Sequence, residues 1–233
     1  MVTTTVVTDH REGPTTDTHS FAGASAAAAA FRLARMNAFE LSFDYRCPFA
    51  KNIHLHVVTA LKAGADFNVT FTPWTLSQGH RAEESTDVWN NPEFDNDLLA
   101  LAAGISVRDL QTEHFLDAHE ALFRARHERA IRLVTIEEIA TVLEPLGVDM
   151  ATVVDDIDSR RPHGVIGASH EQYDRYEAFG VPTFVVDGDA TFVRYMTPPT
   201  DDAQASIDLV NSLVTLMATQ PELNEFKHTR LPL

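Results

Sequence analysis

Two short alternating segments flank a helical repeat between Phe39 and Phe71, and this unit constrains the fold more than any other part of the 233-residue chain. Phe39, Leu41, Phe43 and Tyr45 alternate with Glu40, Ser42 and Asp44, the period-two pattern of a strand with one buried face. The pattern stops at Arg46-Cys47-Pro48. Proline suits the first turn of a helix, where its missing N–H would have no intrahelical partner anyway. Ile53, Val57, Val58 and Leu61 then recur at helical spacing until Gly64, and Phe67, Val69 and Phe71 alternate again before Pro73. Strands joined through a helix are most economically paired in parallel, by a right-handed crossover.

Residues 76–93 are polar and turn-rich, and from Phe94 to about Ile157 the pattern is helical, with Leu98, Leu99, Leu101 and Ala102 on one stripe. Helices are predicted over about 106–127, 135–144 and 149–158, punctuated by Gly104, Gly147 and Arg161-Pro162-His163-Gly164. A helix over about 168–179 follows, then Gly180-Val181-Pro182 and a short apolar strand from Thr183 to Val186. Asp187-Gly188-Asp189 is a hairpin signal, and Thr191 to Tyr195 reads as the returning strand. An amphipathic helix over about 201–219 closes the pattern, with Ile207, Val210, Leu213, Val214 and Met217 on its apolar side. Residues 1–37 show no sustained period and are expected to be a disordered extension; residues 219–233 are expected to be a tail.

Hydrophobic residues make up 44% and charged residues 22%, enough for a packed core. The net charge of −16, from 34 acids against 18 bases, repels phosphate backbones and anionic lipid headgroups, so neither nucleic acid nor a membrane surface is expected as partner. No apolar run approaches the roughly 18 residues of a membrane span. The opening MVTTTVVTDHREGPTTDTHS lacks a basic segment followed by an apolar one, so no export signal is expected and a cytoplasmic location is. The single cysteine excludes an intramolecular disulfide, and the fold needs no oxidising compartment. His114, His119 and His127 lack the i, i+4 spacing of a helical metal site, and no metal centre is expected.

Cys47 stands where a helix begins. There it faces unpaired backbone N–H groups and the positive end of the helix dipole, a setting that lowers thiol pKa values from about 8.5 to roughly 3.5–7.5. Arg46 and Lys51 add positive charge, so a downward shift is expected, with Cys47 a competent nucleophile. The bland alternative is an inert buried cysteine. Asp44 reads as a capping or solvated acid, with a proton relay as the sharper alternative. His54 and His56 read as ordinary helix residues, and Arg124, Arg126, Arg129 and Arg132 as a solvated face.

Three local features, in this order, resemble the DsbA-like thioredoxin-fold family. They are Cys47-Pro48-Phe49-Ala50 between strand and helix, Phe71-Thr72-Pro73-Trp74-Thr75-Leu76 after the second strand, and Gly180-Val181-Pro182-Thr183-Phe184. The resemblance implies an α/β architecture, a thioredoxin fold interrupted by an all-helical insertion domain. Its core would be 38–75 plus 168–218, and its insertion 76–167. It also implies that Cys47 is catalytic, that Pro182 is cis, and that Val181, Pro182 and Thr183 dock a thiol partner. Pro48, Phe49, Ala50, Pro73 and Trp74 would shape the surrounding pocket, although Pro73 and Trp74 read equally well as a strand end and a core aromatic.

One position departs from the dithiol members, which have Cys-x-x-Cys where this chain has Ala50. A small residue there is similar to the Ser-Pro-Tyr-Ala and Ser-Pro-Tyr-Ser versions of kappa-class glutathione transferases and 2-hydroxychromene-2-carboxylate isomerases. The resemblance thus implies a thiol-dependent oxidoreductase with a single active cysteine and no permanently bound cofactor. Cys47 would form mixed disulfides with a protein thiol or a small thiol such as glutathione or mycothiol, released only by an external thiol. The alternatives are a transferase- or isomerase-like enzyme that binds a thiol cofactor non-covalently, and a non-catalytic binding module.

Overall fold

A computed structural model describes residues 37–82 and 84–230; the expected N-terminal extension lies, but for Asn37, outside the described residues. The first unit forms as its periodicity requires. β1 (Ala38–Phe43) and β2 (Asn68–Pro73) flank α1 (Pro48–Lys62) and pair in parallel, with Phe43 opposite Pro73. Later in the chain come β3 (Thr183–Val186) and β4 (Asp189–Phe192), and the sheet order is β2-β1-β3-β4. β3 runs antiparallel to both neighbours, with Leu41 opposite Phe184. Asp187 and Gly188 make the two-residue loop with φ of 53° and 92°. Positive φ at both positions is the primed-turn geometry whose twist matches a hairpin.

Between β2 and β3 lies the helical block: α2 (Leu76–His80), α3 (Asp95–Leu110), α4 (Phe115–Glu128), α5 (Ile136–Leu143), α6 (Met150–Asp158) and α7 (Arg161–Asp174). α8 (Ala203–Thr219) follows the hairpin and packs against α1. The fold is a thioredoxin-type sheet interrupted by helices. Leu41, Phe43, Ile53, Phe123 and Phe184 are fully buried, so sheet, α1 and helical block share one core. No helix among the described residues is long and apolar enough to cross a membrane.

The returning strand is Asp189–Phe192, two residues earlier than Thr191, and three further differences from the sequence pattern each have a visible reason. The helix expected over 106–127 is two helices, broken at Gln111, whose φ of −140° and ψ of 53° leave the helical region. The Gln111 amide instead clamps the start of α6, donating to Asp149 O at 3.0 Å and accepting from Asp149 N–H at 2.7 Å. Gly104, expected as a break, lies inside α3. A side chain there would strike the Tyr45 ring, with Cβ only 2.8 Å from Cε2, so the glycine serves close packing and not a turn. Arg161-Pro162-His163-Gly164 opens α7 with Pro162 in its first turn, so the helix expected from 168 starts earlier and ends at Asp174.

Candidate active site

Cys47 is the N-cap of α1, the position its sequence setting requires. Its φ of −88° and ψ of 118° are extended, and its Sγ accepts from Ala50 N–H at 3.4 Å. The thiol in turn donates to the Val181 carbonyl at 3.2 Å. Two segments 134 residues apart thus meet at one sulfur. The Val181–Pro182 peptide bond is cis. Thr183 locks the following turn: its N–H donates to Ser42 Oγ at 2.8 Å and its hydroxyl to Gly180 O at 2.8 Å. Pro48 is exposed, Phe49 half-buried and Ala50 fully buried, so the motif offers its first two residues after the cysteine to solvent.

The expected downward shift of the thiol is corrected. Burial pushes the Cys47 thiol up, and this outweighs the N–H groups of Ala50 and Phe49 that favour the thiolate. The Asp44 carboxylate pushes in the same direction as burial. Neither cation named from the sequence serves the sulfur. The Arg46 guanidinium is taken by Asp44 at 2.8 Å, with Ser77 and Thr75 as further acceptors at 2.9 and 3.1 Å. Lys51 pairs with Glu128 at 3.5 Å. Asp44 is buried, and besides Arg46 it accepts the Leu76 N–H at 2.9 Å. It is a clamp between the cysteine loop and the start of α2, close to the capping role and unlike a solvated acid.

Pro73 and Trp74 lie behind the site and not on its surface. Pro73 is the last residue of β2, and Trp74 is 6% exposed. Trp74 stacks on His170 from α7 at 4.7 Å and 24°, while His170 Nε2 accepts the Thr75 N–H at 2.9 Å. That acceptor role fixes a neutral ring, and burial lowers the His170 pKa to about 4. Of the two readings of Trp74, pocket lining and core aromatic, the burial matches the second.

Sequence reasoning missed the opposite rim. Val193 N–H donates to Pro182 O at 3.1 Å, which brings the segment after β4 alongside the cis-proline turn. Arg194 then lies over the Phe49 ring at 4.8 Å, and Phe192 packs against Phe179 at 5.1 Å. Phe179 is 76% exposed, so the aromatic rings that run from Phe49 past Arg194 to Phe192 end on an open surface. The available signal was the alternation of Phe192 and Arg194 downstream of Gly-Val-Pro, which only the hairpin register turns into proximity.

A second missed feature lies beneath the site. Tyr45, His119 and His54 form a buried chain with separations of 2.8 Å (Tyr45 Oη to His119 Nδ1), 2.9 Å (His119 Nε2 to His54 Nδ1) and 3.0 Å (His54 Nε2 to Ser42 O). The Ser42 carbonyl can only accept, so the direction is fixed: His54 Nε2–H donates to it, His119 Nε2–H to His54, and the Tyr45 hydroxyl to His119. Both imidazoles are neutral. Burial lowers His54 to about 3 and holds His119 well below its ordinary value. No group of three or more His, Cys, Asp or Glu side chains among the described residues is arranged to hold a metal ion.

Comparison with known proteins points the same way as the geometry. The matching family model is that of the DSBA-like thioredoxin domain, over residues 39–205. A curated relative, the thiol:disulfide interchange protein DsbA of Pseudomonas aeruginosa, is 32% identical over 88 residues. That match covers 38% of this chain and 41% of the relative, so it spans about two fifths of the relative's length. Among solved structures, Pseudomonas aeruginosa DsbA superposes with a TM-score of 0.53 at 21% identity, covering 79% of this chain and 83% of that one. MdbA of Actinomyces oris, described as a thiol-disulfide oxidoreductase, gives 0.53 at 18% identity over 75% and 79% of the two chains. At such identities the structures speak for the fold.

Proposed function

This chain belongs to the DSBA-like thioredoxin domain family, and from that premise we propose that it is a thiol–disulfide oxidoreductase working through one cysteine. The observation that carries the reading is the meeting of Cys47 Sγ with the Val181 carbonyl beside the cis Val181–Pro182 bond. A partner thiol approaching that turn finds an edge of backbone and the only thiol of the chain together. The thiolate of Cys47 attacks a disulfide sulfur, forms a mixed disulfide and releases the other half as thiolate. Ala50 cannot complete the exchange internally. An external thiol, small or on a protein, must attack the adduct and regenerate Cys47.

The resting site holds its proton. The Val181 carbonyl accepts the S–H, and burial favours the neutral form, so the thiolate is a minor species until a partner opens that contact. This observation also favours a second reading. A protonated thiol at a helix N-cap can donate to the thiolate of a bound cofactor and never bond to it, as in the transferase- or isomerase-like alternative. Cys47→Ser separates the two. Turnover of a small disulfide in the presence of excess small thiol is expected to fall to the uncatalysed rate in this variant. Retention of a substantial fraction of the wild-type rate favours the non-covalent reading instead, because serine can donate a hydrogen bond but cannot form the adduct.

A further inference from the structure

Arg194 is placed where a substrate would meet the nucleophile, and among the described residues its charge is not spent on an ion pair. It lies over Phe49 at 4.8 Å and more distantly over Phe192 at 6.0 Å. Contact with an aromatic ring attracts the cation without pairing its charge, so the guanidinium keeps N–H donors to offer a carboxylate. The side chain is exposed, and among the described residues it has no carboxylate partner. Acids outnumber bases by 34 to 18 in this chain. Arg46, Arg81, Arg108, Arg124, Arg160 and Arg161 each lie within ion-pair distance of a carboxylate; Arg126 and Arg129 instead donate to backbone carbonyls, so what sets Arg194 apart is its place beside the cysteine motif. Two contacts fix Arg194 beside the reacting sulfur. The Val193 N–H to Pro182 O bond holds its backbone next to the cis-proline turn, and Phe49, two residues after Cys47, holds its side chain.

A molecule of net charge −16 repels any anionic small thiol as it approaches. A guanidinium at the rim offsets that repulsion locally and offers a planar fork suited to a carboxylate. We propose that Arg194 is the specificity residue of this site, binding a carboxylate carried by the thiol or disulfide that reacts with Cys47. The substrate class is thereby narrowed to carboxylate-bearing thiols, of which glutathione is one, over uncharged ones. The proposal rests on Cys47 being the reacting thiol. In the step concerned, the Cys47 thiolate attacks one sulfur of an R–S–S–R disulfide, the S–S bond of that disulfide breaks, a mixed disulfide between Cys47 and R–S forms, and RS⁻ leaves. The disulfide is the oxidant.

The test compares two small disulfides of similar size, dithiodiglycolate, which carries two carboxylates, and the uncharged hydroxyethyl disulfide. Rates of adduct formation are read by intact mass on wild type and Arg194→Gln. Removing the charge also changes how readily the thiol ionises, but that affects both probes equally and cancels in the ratio of their rates. The anionic-to-neutral ratio is expected to fall by about fivefold in Arg194→Gln, the size of one exposed ion pair, and to be restored by Arg194→Lys in part. The wild-type ratio should also shrink as salt is raised. An unchanged ratio, with the neutral probe still reacting, overturns the role of Arg194 and leaves the oxidoreductase reading intact. If wild type forms no adduct with either probe, the reading itself fails and this inference with it.

Discussion

Replacing His119 with leucine is expected to cost roughly 2–6 kcal/mol of folding stability, because it leaves two buried polar groups without partners at about 1–3 kcal/mol each. Those groups are the Tyr45 hydroxyl and His54 Nδ1, both in fully buried residues. The loss is large against the roughly 5–15 kcal/mol of a typical domain. His119 also packs its ring at 4.8–5.0 Å from Phe43, Phe71, Phe115 and Phe123, so the change removes aromatic contacts as well. The same chain makes the protein sensitive to acid. Folded His54 titrates near 3 and His119 well below its ordinary value, whereas the unfolded imidazoles take up protons below about 6.5. Their stabilising effect is full above that pH and is lost as pH falls through it, by about 1.4 kcal/mol per pH unit for each histidine. Urea titrations of His119→Leu should therefore show a lower midpoint at neutral pH and a shallower decline between about pH 6.5 and 5 than wild type. Stability within about 1 kcal/mol of wild type at neutral pH would mean that the chain of hydrogen bonds does not hold the helical block to the sheet.

Ala50→Cys is expected to turn a borrowed resolving step into an internal one. Ala50 lies one helical turn into α1, its N–H 3.4 Å from Cys47 Sγ, and is fully buried. In wild type a mixed disulfide at Cys47 persists until an external thiol reaches it. The second thiol of the variant attacks Cys47 Sγ, an intramolecular disulfide forms between positions 47 and 50, and RS⁻ leaves. A tethered group acts at millimolar effective concentration or above, so at micromolar external thiol the adduct should disappear about a thousandfold faster. The chain should end lighter than the reduced variant by a hydrogen molecule. An adduct as long-lived as in wild type would show that position 50 does not face the sulfur and that Ala50 is not what makes this a single-thiol site.

The architecture was legible because its signals are local. Alternation from Phe39 to Tyr45, Pro48 at a helix start, and Asp187-Gly188 at a tight turn each dictate backbone geometry within a few residues. Cys47 with Val181-Pro182-Thr183 could be joined only through resemblance, since nothing in their spacing brings them together across the chain. What stayed hidden depends on burial and register. His54 and His119 are polar by type and carry no periodic signal, so the buried pair on α1 and α4 reads as one ordinary helix residue and one histidine of a set without metal-site spacing. Arg46 and Lys51 are near Cys47 in sequence, but side-chain direction gives them to Asp44 and Glu128. The cation that does stand beside the motif, Arg194, is remote in sequence and arrives through the hairpin. Trp74, following a strand end, reads equally as pocket lining or core, and only His170 on a remote helix decides for the core.

Intact-mass measurement of the reduced protein after exposure to hydroxyethyl disulfide, with no free thiol present, tests the central claim most directly. One half-disulfide per chain is expected, mapped to Cys47, stable on standing and removed when an external thiol is added. A chain that stays unmodified while its cysteine still alkylates after unfolding would contradict it, leaving Cys47 as a buried hydrogen-bond donor and not the nucleophile of an oxidoreductase.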